Sequence, residues 1–281
     1  MPEFSRDSMQ DAIRDKSDDY LLPDWPAPSW IKSAVSTRKE INRNCFDSFN
    51  IAFHVNDKVE NVTANRKQLI ADLSLTNNPC WIEQVHGVKA IELFKNNNIP
   101  TDNEHSDSEY ANNRLLNNLV RADASYTNEI GLPCVVMTAD CLPVLLTNKK
   151  GTWVSAIHAG WRGLCKGILE STVAQYEGES EELIAWLGPA ISQKHFEVGA
   201  EVRQAFLDVD QSYDAAFKSH KTDYYMADLY FIARKKLSCL NIKIFGGNLC
   251  TFDDTKRFYS YRRDDETGRM ASLIWIEERS E

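Results

Sequence analysis

The stretch CVVMTADCLPVLLTNKKGTWVSAIHAGWRG, residues 134–163, sets the reading of this chain. Three short apolar runs, CVVMTAD, LPVLLTN and TWVSAIHA, follow one another closely. Each predicts a strand, and Asn148 to Gly151 supplies the turn that pairs the last two as a hairpin. The first run closes on Asp140 and Cys141, and the last closes on His158 just before Gly-Trp-Arg-Gly. Buried strands that finish on soft, titratable side chains raise a question of function as well as of fold.

Upstream, CWIEQVHG and VKAIEL predict strands on either side of Gly87. KVENVTANRKQLIADLSL spaces Val59, Val62, Leu69, Ile70 and Leu73 as the buried stripe of a helix. LLPDWPAPSW is proline-rich and extended. Downstream, GLCKGILESTVAQY carries Leu164, Ile168, Leu169, Val173 and Tyr176 at helical spacing, and ELIAWLG and IKIFGG predict strands. GAEVRQAFLDV and ADLYFIARKKLSCL predict helices, and RFYSYRRDDETGRMASLIWIE predicts two strands joined at Asp-Glu-Thr-Gly. Hairpins mixed with strand–helix alternation favour a single mixed α/β domain over a doubly wound parallel sheet.

Residues 1–20 read as a loose leader to a domain over 21–281, and the polar, Asn-rich segment 94–121 reads as a long surface loop. A chain of 281 residues with 43% hydrophobic and 10% aromatic content can build a sizeable core. Its formal charge of −9, without a long basic run, argues against a nucleic-acid partner. The N-terminus lacks the apolar stretch of a signal peptide, and Asp140, Pro133 and Pro143 interrupt the most apolar window, which argues against a membrane span. Seven cysteines with no C-x-x-C pair make a poor disulfide or structural-zinc framework and suit the cytoplasm, most of them as small buried hydrophobes.

Strand ends are where α/β proteins bind ligands. His86 closes CWIEQVH, so His86, Cys141 and His158 can meet at one point. Two imidazoles and a thiolate make a zinc set with a fourth position open to water. Two other readings stand beside it. Cys141 and His158 are core and hydrogen-bonded residues, or they are a nucleophile and its base without a metal. Arg162 and the helix that begins near Gly163 offer an anion site, while a solvated or ion-paired Arg162 is the plainer alternative. Alternation on the expected last hairpin allows only one of Arg262 and Arg263 to face a site. His195 reads as a surface or outlying residue, and His105 and His220 sit in polar loops.

EQVHG, ADASYTNEIGLPCVVMTADCLPVL, HAGWRGL, WLGPAI, FEVG and YSYRRDDETGRMASLIW closely resemble the YfiH-type family over residues 20–276. That family goes by the names laccase-like polyphenol oxidase, peptidoglycan editing factor and purine nucleoside phosphorylase. The resemblance implies a single domain of α/β/β/α layers, grouped with cysteine hydrolase-like folds. It implies a zinc ion held by His86, Cys141 and His158, with Cys141 and His158 in the chemistry. The implied activity is phosphorolysis of adenosine, inosine, guanosine and methylthioadenosine, with deamination of adenosine. Arg162, Arg38, Asn50 and Arg263 are the substrate and phosphate candidates, with a nucleoside and phosphate as partners and a monomer or homodimer as the assembly. In STRKEINRNCFDSFNIAFHVND the family pattern is matched at Ser36, Thr37, Arg38, Asn50, His54 and Asp57, but its glycine pair and tyrosine are missing. An amide hydrolase that removes misplaced serine from cell-wall precursors is the alternative. Copper oxidase chemistry is the weaker one, because the six histidines include no H-x-H pair and no blue-copper set.

Overall fold

The apolar runs of residues 134–159 do form three strands, but the chain changes sheet between the first and the second. The computed structural model describes residues 19–38, 45–46, 49–95 and 119–279. The expected leader over 1–20, all but its last two residues, and most of the expected 94–121 loop, with His105, lie outside the described residues.

Thirteen strands are described. They are β1 (Tyr20–Leu21), β2 (Ile31–Ser36), β3 (Ala90–Glu92), β4 (Ala124–Thr127), β5 (Cys134–Thr138), β6 (Leu142–Asn148), β7 (Val154–Ala159), β8 (Leu183–Leu187), β9 (Glu197–Gly199), β10 (Phe217–Lys221), β11 (Tyr224–Ala227), β12 (Lys243–Gly246) and β13 (Met270–Ile276). The helices are α1 (Val59–Asp72), α2 (Trp161–Lys166), α3 (Ile168–Val173), α4 (Ala200–Leu207), α5 (Leu229–Cys239) and α6 (Tyr261–Asp264). One sheet runs β1-β2-β13-β5, a second runs β12-β8-β6-β7-β4-β3, and β10-β11-β9 form a small third.

Alternation along the strands shows how the layers stack. On β5, Cys134 and Val136 point to a core shared with Leu145 of β6, Val154 and Ala156 of β7 and Ile274 of β13. That core lies between the two large sheets. Val135 and Met137 point the other way, toward Leu69 and Leu73 at the end of α1, together with Ala34 and Leu273. On the far side, Val144, Leu146 and Ile157 meet Ile168 and Leu169 of α3 and Ile232, Ala233 and Leu237 of α5. The order is helix, sheet, sheet, helices: the expected α/β/β/α sandwich. Every residue of β5, β6 and β7 is buried because both faces of each strand are covered. Truncating a fully buried leucine such as Leu145 removes about 2–5 kcal/mol.

The β6–β7 hairpin forms as expected, with Thr147 opposite Val154. The Asn148 side chain closes its turn by accepting from the Thr152 and Trp153 amides at 2.8 and 3.3 Å. Other expectations change. Residues 80–86 form only isolated bridges, Cys80 to Cys134 and Glu83 to Arg121, instead of a strand. The helix expected over 163–176 breaks at Gly167, whose φ of 94° only glycine adopts readily, leaving α2 and α3. The last segment is a helical turn followed by one strand, not a hairpin, because Ser260 caps α6 by accepting from the Arg263 amide. Arg262 and Arg263 therefore share a helical turn, and strand alternation does not apply to them. Strand β2 and the small β9–β11 sheet are additions, and His220 lies on β10. Only Cys80 and Cys134 of the seven cysteines are buried. Among the described residues no helix is long and apolar enough to cross a membrane.

Candidate metal centre

Cys141 lies where the chain passes from β5 in one sheet to β6 in the other. The crossing turns at Asp140, a non-glycine residue at φ 94°. Such a conformation persists only where neighbours hold it. Here the Thr251 hydroxyl donates to Asp140 Oδ1 at 2.6 Å and the Arg262 amide to Oδ2 at 2.6 Å. The Asp140 carbonyl accepts from the Ile191 amide at 3.0 Å. Asp140 thus serves as a backbone anchor for Cys141.

His158 is the fifth residue of β7 and is buried. His86 reaches it from residues 80–86, which run beside β5 without joining its sheet. Gln84 provides the missing pairing, donating from Nε2 to the Met137 carbonyl at 2.8 Å and accepting the Met137 amide at 2.7 Å. The chain then turns at His86, with φ 57°.

Asp123, just ahead of β4, connects the two histidines. Its carboxylate is fully buried. Oδ1 accepts from the His86 amide and faces His158 Nδ1, both at 2.8 Å. Oδ2 accepts from the Gly87 amide at 2.6 Å and the Val85 amide at 3.2 Å. With Nδ1 directed to a carboxylate, His158 presents Nε2 to the centre, the tautomer a metal ligand needs. Burial works against the charge on Asp123, but the bond to His158 and those from the Gly87 and His86 amides outweigh it and hold the carboxyl below its usual range.

One ligand atom each from His86, Cys141 and His158 lies within 4.8 Å of the other two. Cys141 Sγ is 3.8 Å from His86 Nε2, and the two imidazole rings meet edge to face at 4.7 Å. Burial opposes ionisation of Cys141. The adjoining His158 charge and hydrogen bonds from both histidines reverse this and draw the thiol down to about 6. Burial likewise disfavours the charged form of His158, and the Cys141 thiolate and Asp123 lift it to about 9. A site that stabilises a thiolate this strongly is ready for a cation.

The donor set fits a zinc ion in kind, with one thiolate and two nitrogens. The wall beside it fits too. A Cβ on Gly160 would lie 3.0 Å from His86 Cδ2 and 3.1 Å from Cys141 Sγ, so any side chain there would crowd both donors. His158 is buried while His86 is only partly so, and the centre opens to solvent on the His86 side.

The remaining candidates are placed differently. Arg162 is exposed, with its guanidinium 4.4 Å above the Trp161 ring. Asn50 is buried and uses its full hydrogen-bonding capacity: Nδ2 donates to the Ala52 carbonyl and Asp57, and Oδ1 accepts from the Ala52 and Arg269 amides. Arg263 donates to the carbonyls of Thr251, Phe252 and Phe258 and to Asp264, which stitches α6 to the preceding 251–258 segment. Arg38 has a side chain only 9% exposed, 3.9 Å from Asp264 and 5.3 Å from the Tyr259 ring centre.

Two contributors were not singled out in the sequence. Arg269 lies in the electrostatic field of Cys141, Asp140 and Tyr261, with burial drawing its pKa down. It follows the glycine of TGR. Asp123 stands in ADASYT, where an aspartate between alanines at the start of a strand was the available signal.

Comparison with known proteins identifies the chain's relatives. A family model described as multi-copper polyphenol oxidoreductase laccase matches residues 32–277. The chain is 45% identical over 258 residues to an Escherichia coli protein named purine nucleoside phosphorylase YfiH, covering 91% of this chain and 98% of that one. It is 42% identical over 262 residues to Pseudomonas aeruginosa purine nucleoside phosphorylase PA4543, covering 92% and 99%. Among solved structures, Neisseria meningitidis protein NMB0706 superposes with a TM-score of 0.80 at 36% identity, covering 92% of this chain and all of that one. Bacillus licheniformis YfiH superposes at 0.79 with 27% identity, covering 92% and 97%. Similarity of this extent, over the layered fold and the segments that carry His86, Cys141 and His158, makes the chain a member of the YfiH family.

Proposed function

We propose that this chain is a zinc-dependent purine nucleoside phosphorylase that also deaminates adenosine. The observation that carries the reading is the convergence of His86, Cys141 and His158 within 4.8 Å around the Asp123 anchor. Its support from kinship is the 98% coverage of a relative that bears the phosphorylase name. Bound by these three residues, zinc would supply a Lewis acid beside the reacting atoms.

In phosphorolysis a phosphate oxygen bonds to the anomeric carbon as the bond to the purine nitrogen breaks, and the base leaves with a proton. The chain must bring a dianion to the sugar and hold it in line. Arg269 is our candidate cation, lying in the field of Cys141, and its backbone amide donates to Asn50 Oδ1 at 3.0 Å. Arg162, exposed two residues past Gly160, approaches from the rim. Arg38 and Arg263 both meet Asp264, Arg38 from beyond the end of β2 at 3.9 Å and Arg263 by hydrogen bond at 2.7 Å. Asp123 keeps His158 Nδ1 occupied, so only Nε2 faces the centre.

The laccase name finds less support in this chain's ligands, since its six histidines form no H-x-H pair. The test is chromatography of adenosine and inosine incubated with zinc-loaded protein, with and without phosphate. Free base with ribose 1-phosphate, only when phosphate is present, is the expected result, along with inosine from adenosine. Serine released from a cell-wall precursor, with no turnover of either nucleoside, would overturn the reading in favour of amide hydrolysis.

A further inference from the structure

We propose a second metal site, formed by His195, Cys250 and Asp253, that takes a zinc-like divalent cation. It stands apart from the first centre and does not depend on the activity proposed above.

Two loop segments build it. Residues 190–195 and 249–253 run side by side, joined by the Ala190–Cys250 bridge. The Ala190 amide donates to the Leu249 carbonyl at 3.3 Å and the Thr251 amide to the Ala190 carbonyl at 3.0 Å. This pairing sets Cys250 Sγ 3.1 Å from the Ser192 hydroxyl. The His195 ring folds back over Phe252, stacked at 4.1 Å and 13°, so that Nε2 lies 2.7 Å from Asp253 Oδ1. The stack fixes the direction in which the imidazole points. One donor atom from each of His195, Cys250 and Asp253 lies within 4.8 Å of the other two.

An imidazole, a thiol and a carboxylate suit a borderline-soft divalent ion. With bonds of about 2.0–2.3 Å, a tetrahedral ion needs donors roughly 3.3–3.8 Å apart. Asp253 has a side chain 49% exposed and can turn to meet that spacing. An ordinary His–Asp ion pair explains the 2.7 Å contact but not a thiol within reach of both partners. Lys194 Nζ, 3.7 Å from Asp253, competes for the carboxylate, but its side chain is 74% exposed and free to swing away. Cys250 and Ser192 also line a surface cavity of about 450 Å³ together with Tyr230 and Arg234, which opens the thiol's side of the cluster to solvent.

The neighbours of these ligands give the site its role. Ile191 donates its amide to the Asp140 carbonyl, and Thr251 donates its hydroxyl to the Asp140 carboxylate. An ion that clamps the two segments therefore stiffens the support of the residue preceding Cys141.

The experiment uses full-length protein stripped of metal and titrated with Co²⁺ and Zn²⁺. The double variant Cys141→Ser, His158→Ala, which lacks the first centre, should still take up one equivalent of Co²⁺ with a thiolate-to-cobalt charge-transfer band. Adding Cys250→Ser should abolish the band, and adding His195→Ala should weaken binding by more than the roughly 10–100-fold typical of losing an outlying partner. In the wild-type chain, saturating Zn²⁺ should protect the Cys250 peptide from alkylation, read by mass spectrometry without any substitution. Cys250 alkylated equally fast with and without Zn²⁺, or a band indifferent to Cys250→Ser, overturns the proposal. Cys250→Ser alone reads the first centre separately, so failure of one site is distinguishable from failure of the other.

Discussion

Replacing Asp123 with Asn tests the first centre most sharply, because size and shape hardly change while the hydrogen-bond pattern does. The carboxylate meets four N–H groups: His86 N and His158 Nδ1 on one oxygen, Gly87 N and Val85 N on the other. An amide has one oxygen. Oriented toward the histidines, it turns its NH₂ against the Gly87 and Val85 amides. Flipped, it turns the NH₂ against the His86 amide and His158 Nδ1. With the His158 proton on Nδ1, each orientation leaves two part-buried donors unsatisfied, at about 1–3 kcal/mol apiece; a shift of that proton in the flipped form leaves only the His86 amide, at about 1–3 kcal/mol. In the flipped form His158 escapes the clash by moving its proton to Nε2, which removes it as a ligand. Asp123→Asn should therefore melt at least about 2 °C lower by circular dichroism. It should also hold zinc about 10–100-fold more weakly in competition with a chelator. A variant that melts with the wild type and keeps its zinc affinity would refute the assignment of Asp123 as the anchor of both histidines.

Gly160→Ala places a Cβ about 3.0–3.1 Å from His86 and Cys141, and should cost about 1–3 kcal/mol and cut zinc uptake, read by metal analysis of the purified protein. Cys141→Ser should abolish phosphorolysis in the chromatographic assay while the melting temperature of metal-free protein stays close to wild type, since the side chain is only partly buried and leaves no large cavity. Arg269→Ala should raise the KM for phosphate more than Arg162→Ala does, measured by initial rates at varied phosphate; the reverse order would place the anion on the rim. His54 is exposed overall, yet desolvation of its ring first, then the nearby charges of Arg269, Arg66 and His158, draw its pKa down from 6.5 to about 4. The unfolded chain thus binds a proton that the folded chain refuses between those values, and stability falls as pH drops through that window. His54→Asn should flatten this dependence, seen in urea midpoints at about pH 5 and about pH 7.

The convergence of His86, Cys141 and His158 was legible because each side chain lies at or near the end of an apolar run: His86 after CWIEQV, Cys141 after CVVMTAD and His158 within TWVSAIHA. The sequence also marks the hairpin and the helices α1, α4 and α5, where periodicity is strong. It does not show that β5 and β6 belong to different sheets, since both are buried at every position and nearly all apolar, and a fully covered strand has no polar face to reveal its neighbour. Asp140 invites a functional reading, yet its carboxylate holds Thr251 and Arg262. Asp123, a single acid among alanines, discloses its role only when Val85, His86, Gly87 and His158 arrive around it. The terminal segment misleads because alternation in YSYRRDD mimics a strand, while Ser260 caps a helical turn there. The small sheet escapes notice because the strand FKSHK is solvent-facing beyond Phe217.

The crossing at Asp140 has a mechanical consequence. Cys141 sits on the hinge between the sheets, His158 belongs to the six-stranded sheet, and His86 is tied through Gln84 to the edge of the four-stranded one. An ion gripped by all three would rivet the two layers at one end, and its grip would register how far they splay. Substitutions deep in the shared interior, at Leu145 or Ile274, should then loosen the rivet without touching it, so occupancy becomes a gauge of interior packing.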